Sequence, residues 1–453
     1  MILRRVLIAN RGEIALRVIR TCQRLGIETV LAASEADLHS VAAREADRAI
    51  CIGPPESGAS YLSIPRLIAA ATESKAQAVH PGYGFLSENS SFAAACERAG
   101  LTFIGPAAAQ LAAVGDKLKA REHANAAGLP CVVGGEVDSL PEAEALAQQI
   151  GWPILVKAVG GGGGRGLKLV KQRADLPQTL ALAMAEARAA FGDSRVYLER
   201  FIPHGRHVEV QVLGDGENVL HLGTRDCSIQ RRYQKLLEEA PAPSLSESLV
   251  ERMQDAAIAF ASHLKYRSAG TVEFLVDCDQ NSFYFLEMNA RIQVEHPVTE
   301  SVCGVDLVAE QIAIAEGQPL RLRQNEIRLA GHAIECRINA EDWTHDFFPS
   351  PGRVSRASFP VGPGIRVDTH IQSGTEVPPY YDSLLAKVIV HAATRAEALE
   401  KMRRALARVE ISGIATNVGL HLALLQEEGF LRGGVPTTFL RDFLQTHAVL
   451  TVP

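Results

Sequence analysis

The stretch EFLVDCDQNSFYFLEMNARIQVEH, residues 273–296, sets two apolar runs on either side of a short polar segment. Glu273 and Glu287 are equally far from Gln280 in that segment, so a symmetric β-hairpin makes them cross-strand neighbours on one face. Adjacent carboxylates repel each other, and a divalent cation relieves the repulsion. With Asn289 as a further oxygen ligand, the pair predicts a magnesium site. An exposed acidic edge with a solvated carboxylate pair is the alternative interpretation.

Polar side chains continue at every second position through the rest of this stretch. If the chain stays extended, Met288, Ile292 and Val294 face the core, and the opposite face carries Glu287, Asn289, Arg291, Gln293 and Glu295. The segment GHAIECRINAED, residues 331–342, repeats the alternation with Glu335, Arg337 and Asn339. Carboxylates mixed with cations on half-buried strands indicate a site for a metal and an anion, and Arg337 is a candidate for a second anionic group. A polar face exposed to water is the alternative.

A run of five glycines, Gly160–Gly164, stands between ILVKAV and RGLKLVK. The run satisfies G-x-G-x-x-G formally, but a dinucleotide fingerprint leads into a helix, whereas the residues here predict a strand. The phosphate-loop motif also fails, because Leu167 follows Gly166 where that motif has lysine. The interpretation that remains is a strand–loop–strand hairpin. Its backbone amides are expected to close over phosphate oxygens while Lys157 supplies positive charge. A flexible surface loop is the alternative.

The N-terminal part of the chain alternates buried strands with amphipathic helices. RRVLIAN and IETVLAAS predict strands on either side of a helix, GEIALRVIRTCQRLG, whose apolar face holds Ile14, Val18, Ile19, Cys22 and Leu25. Short connections of this kind predict a doubly wound parallel sheet, Rossmann-like but without the glycine fingerprint. From residue 206 onward, alternating strands predict an antiparallel sheet, with helices at SESLVERMQDAAIAFASHL and TRAEALEKMRRALARV. The predicted fold class is α/β and α+β.

Composition narrows the class of protein further. The chain has 453 residues, 47% of them hydrophobic, which is enough for a substantial core divided among about two to four domains. A formal net charge of −6 without a long single-sign run argues against binding to nucleic acid or to an anionic membrane. The start MILRRVLIANRGEIAL fits neither a signal peptide nor a membrane span, which favours the cytoplasm. The scattered cysteines are expected to be reduced and mostly buried.

One family resemblance is carried by a set of segments in order: IANRGEIALRVIR, HPGYGFLSEN, GGGGGRG, RDCSIQRRYQKLLEEAPAP, EMNARIQVEHPVTE, GHAIECRINAED and PPYYDSLLAK. They closely resemble biotin carboxylase, an ATP-grasp enzyme of the biotin-dependent carboxylases, over nearly the whole chain. The resemblance implies a Rossmann-like N-terminal domain over residues 1–114 and a linker helix over 115–130. It further implies a mobile ATP-grasp lid with the glycine flap over 131–202, and a C-terminal ATP-grasp and biotin carboxylase domain over 203–447.

The implied activity is that of a ligase: ATP and bicarbonate give carboxyphosphate and ADP, and biotin is then carboxylated on its ureido nitrogen. The resemblance implies that ATP, with Mg²⁺ or else Mn²⁺, contacts Lys117, Lys157, Gly162, Gly163, Gly164, Glu199, Arg200, Ile202, His207, Gln230, Tyr233 and Leu275. The resemblance also implies that Glu273, Glu287 and Asn289 coordinate the metal. Bicarbonate is implied to bind Lys235, Arg291, Gln293 and the Val294 backbone. Glu295 is implied as the base, Arg337 as the group that stabilises the biotin enolate, and Tyr83 as a wall of the biotin pocket.

Two positions depart from the family pattern. Tyr233 stands where several members have histidine, and Arg200 stands where many have lysine. A tyrosine hydroxyl still forms hydrogen bonds, and arginine keeps the charge with a different geometry. ATP binding is therefore expected, and these two contacts stay open.

No segment resembles a biotin attachment site. Covalent biotin in this class sits on a lysine in an A-M-K-M-like turn, and none of the five methionines here precedes a lysine. We therefore expect the chain to act on biotin borne by a separate carrier domain, alongside a carboxyltransferase on another chain or region. The resemblance implies a homodimer. The final carboxyl acceptor, whether an acyl-CoA, urea or another small molecule, stays open.

Two other functions share some of these features. Another ATP-grasp ligase, of the carbamoyl-phosphate or peptide-ligase type, shares the flap and the metal carboxylates but not RIQVEHPVTE and PPYYDS. A non-enzymatic nucleotide-binding regulator predicts losses among Lys235, Arg291 and Glu295, and all three residues are present.

Overall fold

The computed structural model describes residues 2–159 and 167–447, apart from the side chains of residues 190 and 191. The predicted glycine loop, including Gly162, Gly163 and Gly164, lies outside the described residues. In the described part of the chain, no helix is both long enough and apolar enough to cross a membrane.

The N-terminal region alternates strands and helices as predicted. Its elements are β1 Arg5–Ile8, α1 Gly12–Arg24, β2 Glu28–Ala33, α2 Val41–Glu45, β3 Arg48–Cys51, α3 Ile64–Glu73, β4 Ala78–His80, α4 Ser90–Arg98, β5 Thr102–Phe103, α5 Ala108–Gly115 and α6 Lys117–Ala126. The strands form one parallel sheet in the order β3-β2-β1-β4-β5. Leu7 enters the core on one side of this sheet while Val6 and Ile8 enter the core on the other, as period-two alternation requires. The prediction of a doubly wound parallel sheet is confirmed.

The apolar face of α1 is one residue shorter than predicted. Ile14, Val18, Ile19 and Cys22 are buried, whereas Leu25 is 47% exposed. The helix ends at Arg24, and Leu25 caps it before Gly26 turns the chain with a φ of 71°. Leu25 therefore lies beyond the last turn of the helix and faces solvent, and its predicted place in the core is wrong.

A second, smaller sheet follows. Its elements are β6 Gly134–Val137, α7 Leu140–Ile150, β7 Ile154–Ala158, β8 Lys168–Val170, α8 Leu176–Phe191 and β9 Val196–Arg200. The strand order is β6-β9-β7-β8, and every pairing is antiparallel. A core of its own lies between the sheet and the two helices, with Val156, Leu180 and Leu198 among its members. β7 and β8 pair antiparallel from Ile154↔Val170 to Val156↔Lys168.

The remaining elements are β10 Gly205–Asp215, β11 Val219–Arg231, β12 Gln234–Ala240, α9 Glu247–His263, β13 Arg267–Asp277, β14 Ser282–Asn289, α10 His296–Cys303, α11 Leu307–Ala315, β15 His332–Asn339, β16 Glu341–Asp342, β17 Phe348–Pro349, β18 Gly352–Arg353, β19 Arg356–Ser358, β20 Ile365–Thr369, β21 Glu376–Val377, β22 Leu384–Ala392, α12 Arg395–Leu406, β23 Glu410–Ser412, α13 Val418–Leu424, α14 Glu428–Arg432 and α15 Phe439–His447. Eight strands form one antiparallel sheet in the order β14-β13-β10-β11-β12-β15-β22-β20. The predicted antiparallel region and its two named helices, α9 and α12, are confirmed.

The hairpin of β13 and β14 carries the acidic pair. Glu273 and Glu287 are directly opposed, as the symmetric hairpin predicts. The turn itself is not centred on Gln280, because Asp277 pairs with Ser282, and a bulge after Glu273 restores the register before the two glutamates. The bulge therefore brings the carboxylates together on one face.

The strand after Glu287 is shorter than predicted. β14 ends at Asn289, and residues 290–295 form a bend and a turn that lead into α10. The predicted extended face through Glu295 is therefore wrong. Met288 and Ile292 are buried as predicted, but Val294 is only half-buried. Pro297 in the first turn of α10 fits a helix start, because that position needs no backbone donor.

The cysteines are all free, as predicted, but only half of them are buried. Cys22, Cys96, Cys227 and Cys336 lie in the interior, whereas Cys51 and Cys278 are exposed. The exposed pair lie at strand ends, where the side chain leaves the core.

Candidate active site

A cleft of about 1410 Å³ is lined by residues from the parallel-sheet region, the small sheet and the eight-stranded sheet. Most of the predicted site residues line it: Tyr83, Lys117, Lys157, Glu199, Ile202, His207, Gln230, Tyr233, Lys235, Glu273, Leu275, Glu287, Asn289, Arg291, Gln293, Val294, Glu295 and Arg337. Arg200 does not line the cleft. It is an exposed residue at the end of β9, and its nucleotide contact stays a prediction.

Lys235 on β12 is the centre of the polar part of the cleft. Its Nζ donates to Glu209 at 2.6 Å, to Glu295 at 2.7 Å and to Glu273 at 2.9 Å. Burial opposes the charge on Lys235, but the three carboxylates outweigh it and hold the pKa of Lys235 well above its usual value. We call Lys235, Glu209, Glu273, Glu295 and Arg337 the Lys235 cluster.

Glu209 was not predicted as a site residue. It is fully buried on β10, and Arg225 on β11 donates to it through Nε at 2.5 Å. Arg225 is fully buried too, and its other nitrogens donate to Gln211 at 2.7 Å, Thr299 at 2.8 Å and Thr271 at 3.1 Å. The segment HVEVQV could have indicated this site, because His207, Glu209 and Gln211 alternate with valines on a strand without an exposed face. Polar side chains on such a strand need polar partners.

The opposed carboxylates of the hairpin have different surroundings. Glu273 accepts from Asn289 Nδ2 at 2.7 Å and Gln293 Nε2 at 2.8 Å, and His207 Nε2 lies 3.0 Å away. Despite burial, Lys235 and His207 hold the pKa of Glu273 well below its usual value. Burial and the nearby Glu273 charge raise the pKa of Glu287. The surroundings thus stabilise the ionised form of Glu273 but not that of Glu287, as expected for two like charges that face each other.

His207, Glu209 and Glu273 also form a potential ligand group. One ligand atom from each lies within 4.8 Å of the others. Burial opposes the protonated form of His207, yet the Glu273 charge raises the pKa of His207 to about 9.

Glu295 is the first residue before α10, where the helix dipole favours a negative charge. Its Oε1 accepts from Lys235, and its Oε2 accepts from Arg337 Nη2 at 2.9 Å. Burial alone raises the pKa of a carboxyl, but Lys235, with Arg337 and Arg225, holds the pKa of Glu295 below its usual value. Glu295 is therefore poised as an ionised carboxylate at the edge of the cleft.

Arg291, Gln293 and Val294 line the same part of the cleft although the strand has ended. Arg291 donates to Asn289 Oδ1 at 2.7 Å, Gln293 Oε1 at 2.5 Å and Glu88 Oε2 at 2.8 Å. Glu88, from the loop before α4, was not predicted. The bend after Asn289 thus brings together the residues that an extended strand was expected to align.

Lys387 on β22 was also missed. It is fully buried, donates to the Val294 carbonyl at 2.8 Å and lies 3.1 Å from Glu13 Oε2. The Glu13 carboxylate in turn accepts from the hydroxyl of Tyr83. The sequence feature that could have identified Lys387 is its position as a single lysine in the apolar strand LLAKVIVHA. A buried charge on such a strand needs a partner.

The other end of the cleft carries the predicted nucleotide residues. Lys157 on β7 pairs with Glu199 on β9. Lys117 begins α6, and burial lowers its pKa. Tyr233 is 53% exposed in the tight β11–β12 turn, where its φ is 69°. Ile202 and Leu275 supply apolar lining, and Gln230 donates to the Cys227 carbonyl at 2.7 Å.

Known proteins resemble this chain over its whole length. Three family models match in order: "Biotin carboxylase, N-terminal domain" over residues 2–111, "Carbamoyl-phosphate synthase L chain, ATP binding domain" over 116–323 and "Biotin carboxylase C-terminal domain" over 335–442. A biotin carboxylase from Nostoc is 51% identical, with 97% of this chain and 98% of the relative aligned.

Solved structures agree with the sequence matches. The biotin carboxylase–β,γ-ATP complex from Campylobacter jejuni has a TM-score of 0.94 at 44% identity, covering 97% of this chain and 99% of that one. The biotin carboxylase domain dimer of the Hydrogenobacter thermophilus 2-oxoglutarate carboxylase, in complex with MgADP, ADP and bicarbonate, has a TM-score of 0.93 at 44% identity, covering 100% and 99% of the two chains. The resemblance read from the sequence and the ATP-grasp fold class are confirmed, and the chain belongs to the biotin carboxylase family of ATP-grasp ligases.

Proposed function

We propose that this chain catalyses the ATP-dependent carboxylation of carrier-borne biotin by bicarbonate, through carboxyphosphate. The observation that carries the proposal is the Lys235 cluster, in which a cation and the ionised Glu295 stand beside Arg337 at one end of a large cleft. The ligands named for the two solved relatives, β,γ-ATP, MgADP and bicarbonate, support the same assignment.

Magnesium fits the residues at the hairpin. Glu273 and Glu287 are directly opposed carboxylates, the first buried and the second half-buried, and Asn289 adds an amide oxygen, which completes a hard donor set of the kind that Mg²⁺ prefers. The raised pKa of Glu287, caused by burial and then by Glu273, is the like-charge conflict that a divalent cation relieves. When bound, the metal neutralises charge on the nucleotide phosphates. Lys117 and Lys157 are the proposed phosphate contacts at the other end of the cleft.

In the proposed first step, Glu295 accepts the hydroxyl proton of bicarbonate while a bicarbonate oxygen attacks the γ-phosphorus of ATP. The bond from that phosphorus to the bridging oxygen breaks, and ADP leaves. Lys235, Arg291, Gln293 and the Val294 backbone hold the bicarbonate, so the reaction depends on positioning and charge stabilisation. The low pKa of Glu295, maintained against burial by Lys235, keeps it ionised and ready to accept the proton at neutral pH.

In the proposed second step, the bond between the carboxyl carbon and the phosphate oxygen of carboxyphosphate breaks, the ureido nitrogen of biotin bonds to that carbon, and the released phosphate takes up the ureido N–H proton. Arg337 stabilises the enolate form of the ureido group as an oxyanion. Tyr83, which also lines the cleft, forms a wall of the biotin pocket. Glu199, Arg200, Ile202, His207, Gln230, Tyr233 and Leu275 are the proposed adenine and ribose contacts, with Gly162, Gly163 and Gly164 closing over the phosphates.

The partners follow from the same proposal. Biotin is supplied on a carrier domain, a carboxyltransferase consumes carboxybiotin, and the chain forms a homodimer in the cytoplasm. The relatives differ in acceptor, since one solved relative is part of a 2-oxoglutarate carboxylase and another is the biotin carboxylase subunit of a pyruvate carboxylase. The proposed divisions at residues 114, 130 and 202 separate the N-terminal domain, linker helix, lid and C-terminal region.

The alternative function, that of a carbamoyl-phosphate-type ligase, is supported by the name of the central family model. That model covers the ATP-binding part alone, while biotin carboxylase models match on both sides of it. The flanking matches therefore favour biotin as the acceptor.

The test is ADP release by the purified chain with and without bicarbonate and biotin, beside an avidin blot of the same preparation. We expect ADP release to require bicarbonate and to rise with biotin, and the blot to be negative. A carrier domain bearing biotin should be a better substrate than free biotin, because docking raises the local concentration of the acceptor. ADP release indifferent to bicarbonate and biotin, or biotin bound covalently to this chain, contradicts the proposal.

A further inference from the structure

Two carboxyl side chains next to Arg337 have no part in the mechanism above. Glu238 on β12 and Glu335 on β15 are directly opposed in the antiparallel pairing of these strands. Directly opposed residues share a face of the sheet, and their Cβ atoms lie about 4.5–5.5 Å apart. Both residues are fully buried. Their carboxyl groups are therefore neighbours in a space closed to solvent.

The hydrogen bonds leave most of this pair unsatisfied. Oε1 of Glu238 accepts from Arg337 Nε at 2.6 Å. Oε2 of Glu238 and both oxygens of Glu335 have no hydrogen-bond partner among the described residues. Buried carboxyl oxygens without a donor are rare in folded proteins, because burial without a hydrogen bond is costly. A proton held between the two groups supplies the missing donor.

Among the described residues, the cations around Glu335 form their hydrogen bonds and ion pairs with other groups. On β15 the neighbouring charge is Arg337, which is shared between Glu238 and Glu295. On β22 it is Lys387, which donates to the Val294 carbonyl and lies 3.1 Å from Glu13 and 3.8 Å from Asp368. On β12, Lys235 is bonded to Glu209, Glu273 and Glu295.

The helix that covers the pair adds no further cation. α10 presents Glu295 at its start and packs Val298 and Val302 against the apolar neighbours of the pair on the sheet. Its other titratable residues lie elsewhere: Glu300 accepts from Arg366 at 2.7 Å, and His296 Nε2 lies 3.9 Å from Glu300. Burial, opposed by Lys387, leaves the pKa of Glu335 well above its usual value, and burial, opposed by Arg337, raises the pKa of Glu238 to about 7.

We propose that Glu238 and Glu335 share one proton as a carboxylic acid–carboxylate pair, and that this pair positions Arg337. Glu335 keeps the proton and donates it to Oε2 of Glu238, so that Glu238 remains the anion that bonds Arg337 Nε. A second proton on the pair removes the Glu238 charge that bonds Arg337 Nε and leaves Glu295 as the remaining anion bonded to Arg337. Loss of the shared proton places a second negative charge beside Arg337 and draws the guanidinium away from the cleft. Glu238 and Glu335 are thus positioning residues that hold Arg337 in place over a limited pH window.

The sharing of the proton is tested without turnover, by infrared spectroscopy of the protonated-carboxyl C=O stretch at neutral pH. In the difference between wild type and Glu335→Gln, we expect the loss of one protonated-carboxyl band. Glu239→Gln is the matched control, because Glu239 is also buried, next to Glu238 on β12, but has both oxygens bonded, by Arg395 and His332. That control should leave the band unchanged. A Glu335→Gln difference spectrum without this loss overturns the proposal.

If Glu335→Gln does not fold, Glu238→Gln decides the same point. The band of Glu335 should then remain but shift in frequency, because its hydrogen-bond acceptor has become an amide. An unshifted band shows that the two groups do not share a proton and overturns the proposal.

The positioning role, which rests on the proposed function, is tested by the pH dependence of biotin-dependent ATP cleavage. Glu335→Gln keeps a permanent donor to Glu238 and has no shared proton to lose, so the alkaline limb of kcat should move to higher pH, whereas the acid limb, which reports protonation of Glu238, should remain. If Glu335 were merely structural, its substitution would lower the unfolding temperature and leave both limbs of the kcat profile in place. That result overturns the positioning role. Failure of the proposed function abolishes biotin dependence in the wild type itself, so the two failures are distinguishable.

Discussion

At the Lys235 cluster, a single ammonium nitrogen lies within 2.9 Å of oxygens from three buried carboxylates. At the other end of the cleft, Lys157 pairs with Glu199 alone among the described residues, and Tyr233 is 53% exposed. One end is thus held by a closed set of mutual hydrogen bonds, whereas the other offers side chains with few partners. We infer that the first end is organised before substrate arrives, and that the second gains most of its contacts when the nucleotide binds.

The largest effect is expected at Glu295. Glu295→Gln keeps the size of the side chain but cannot accept a proton, so bicarbonate-dependent ATP cleavage should fall by roughly two to four orders of magnitude. The affinity for nucleotide should change little, because Glu295 lies at the Lys235 cluster. Steady-state kinetics and nucleotide titration measure the two quantities. Glu247→Gln, on the exposed start of α9, is the control. Near-normal turnover in Glu295→Gln would show that this carboxylate is structural.

The next effect concerns stability at the same end. Arg225→Met removes the fully buried cation that bonds Glu209 and leaves Lys235 as its other cationic partner, and breaking this buried ion pair should lower the free energy of unfolding by about 3–5 kcal/mol. Arg404→Met is the control, since its ion pair with Glu400 is exposed and should contribute about 0–1 kcal/mol. Denaturant unfolding measures both changes. Equal losses in the two variants would contradict the view that the Lys235 cluster depends on buried charge compensation.

A pH effect should follow from His421, which supports the strand of Arg337. Its Nε2 donates to the Arg337 carbonyl at 2.8 Å, and burial lowers its pKa to about 4. Because the unfolded chain binds this proton more readily, stability should fall as the pH drops from about 6.5 toward 4, by about 3 kcal/mol in total. His421→Gln should flatten that part of the curve, whereas His39→Gln, at an exposed site, should leave it unchanged. A curve of unchanged slope in His421→Gln would argue against a buried neutral imidazole.

The smallest of these effects is expected at the sparse end of the cleft. Lys157→Met should raise KM for ATP by about tenfold, since a hydrogen bond to a charged group contributes about 1.5–3 kcal/mol. Its effect on kcat should be smaller. Lys171→Met, directly after the neighbouring strand β8, is the matched control, and we expect no comparable rise because Lys171 is exposed and does not line the cleft. An equal rise in Lys171→Met would show that bound nucleotide reaches beyond the described lining.

Local patterns predicted more of the fold than of the site. The alternation of strands and helices and the opposed pair Glu273 and Glu287 could be read from period and spacing. The end of β14 at Asn289 could not, because the turn before α10 is stabilised by contacts from distant segments, such as Glu88 with Arg291 and Lys387 with Val294. The spacing of residues along the sequence does not predict contacts between such distant segments.

Buried charge compensation was the main feature that local reasoning missed. Glu209 and Arg225 belong to neighbouring strands, and their pairing becomes visible only when the sheet register is known. Glu238 and Glu335 are almost a hundred positions apart in sequence and meet across β12 and β15. A polar residue on a strand without an exposed face is the signal that remains in the sequence, and it indicates that a partner exists without saying where.

The transfer of isotopically labelled carbon from bicarbonate to biotin on a carrier domain tests the central claim most directly. The account predicts labelled carboxybiotin that forms only when ATP and Mg²⁺ are present, with one ADP released for each carboxyl transferred, and little label when Glu295→Gln replaces the wild type. Label that appears without ATP, or ATP cleavage that leaves biotin unlabelled while another acceptor takes the carbon, would contradict it.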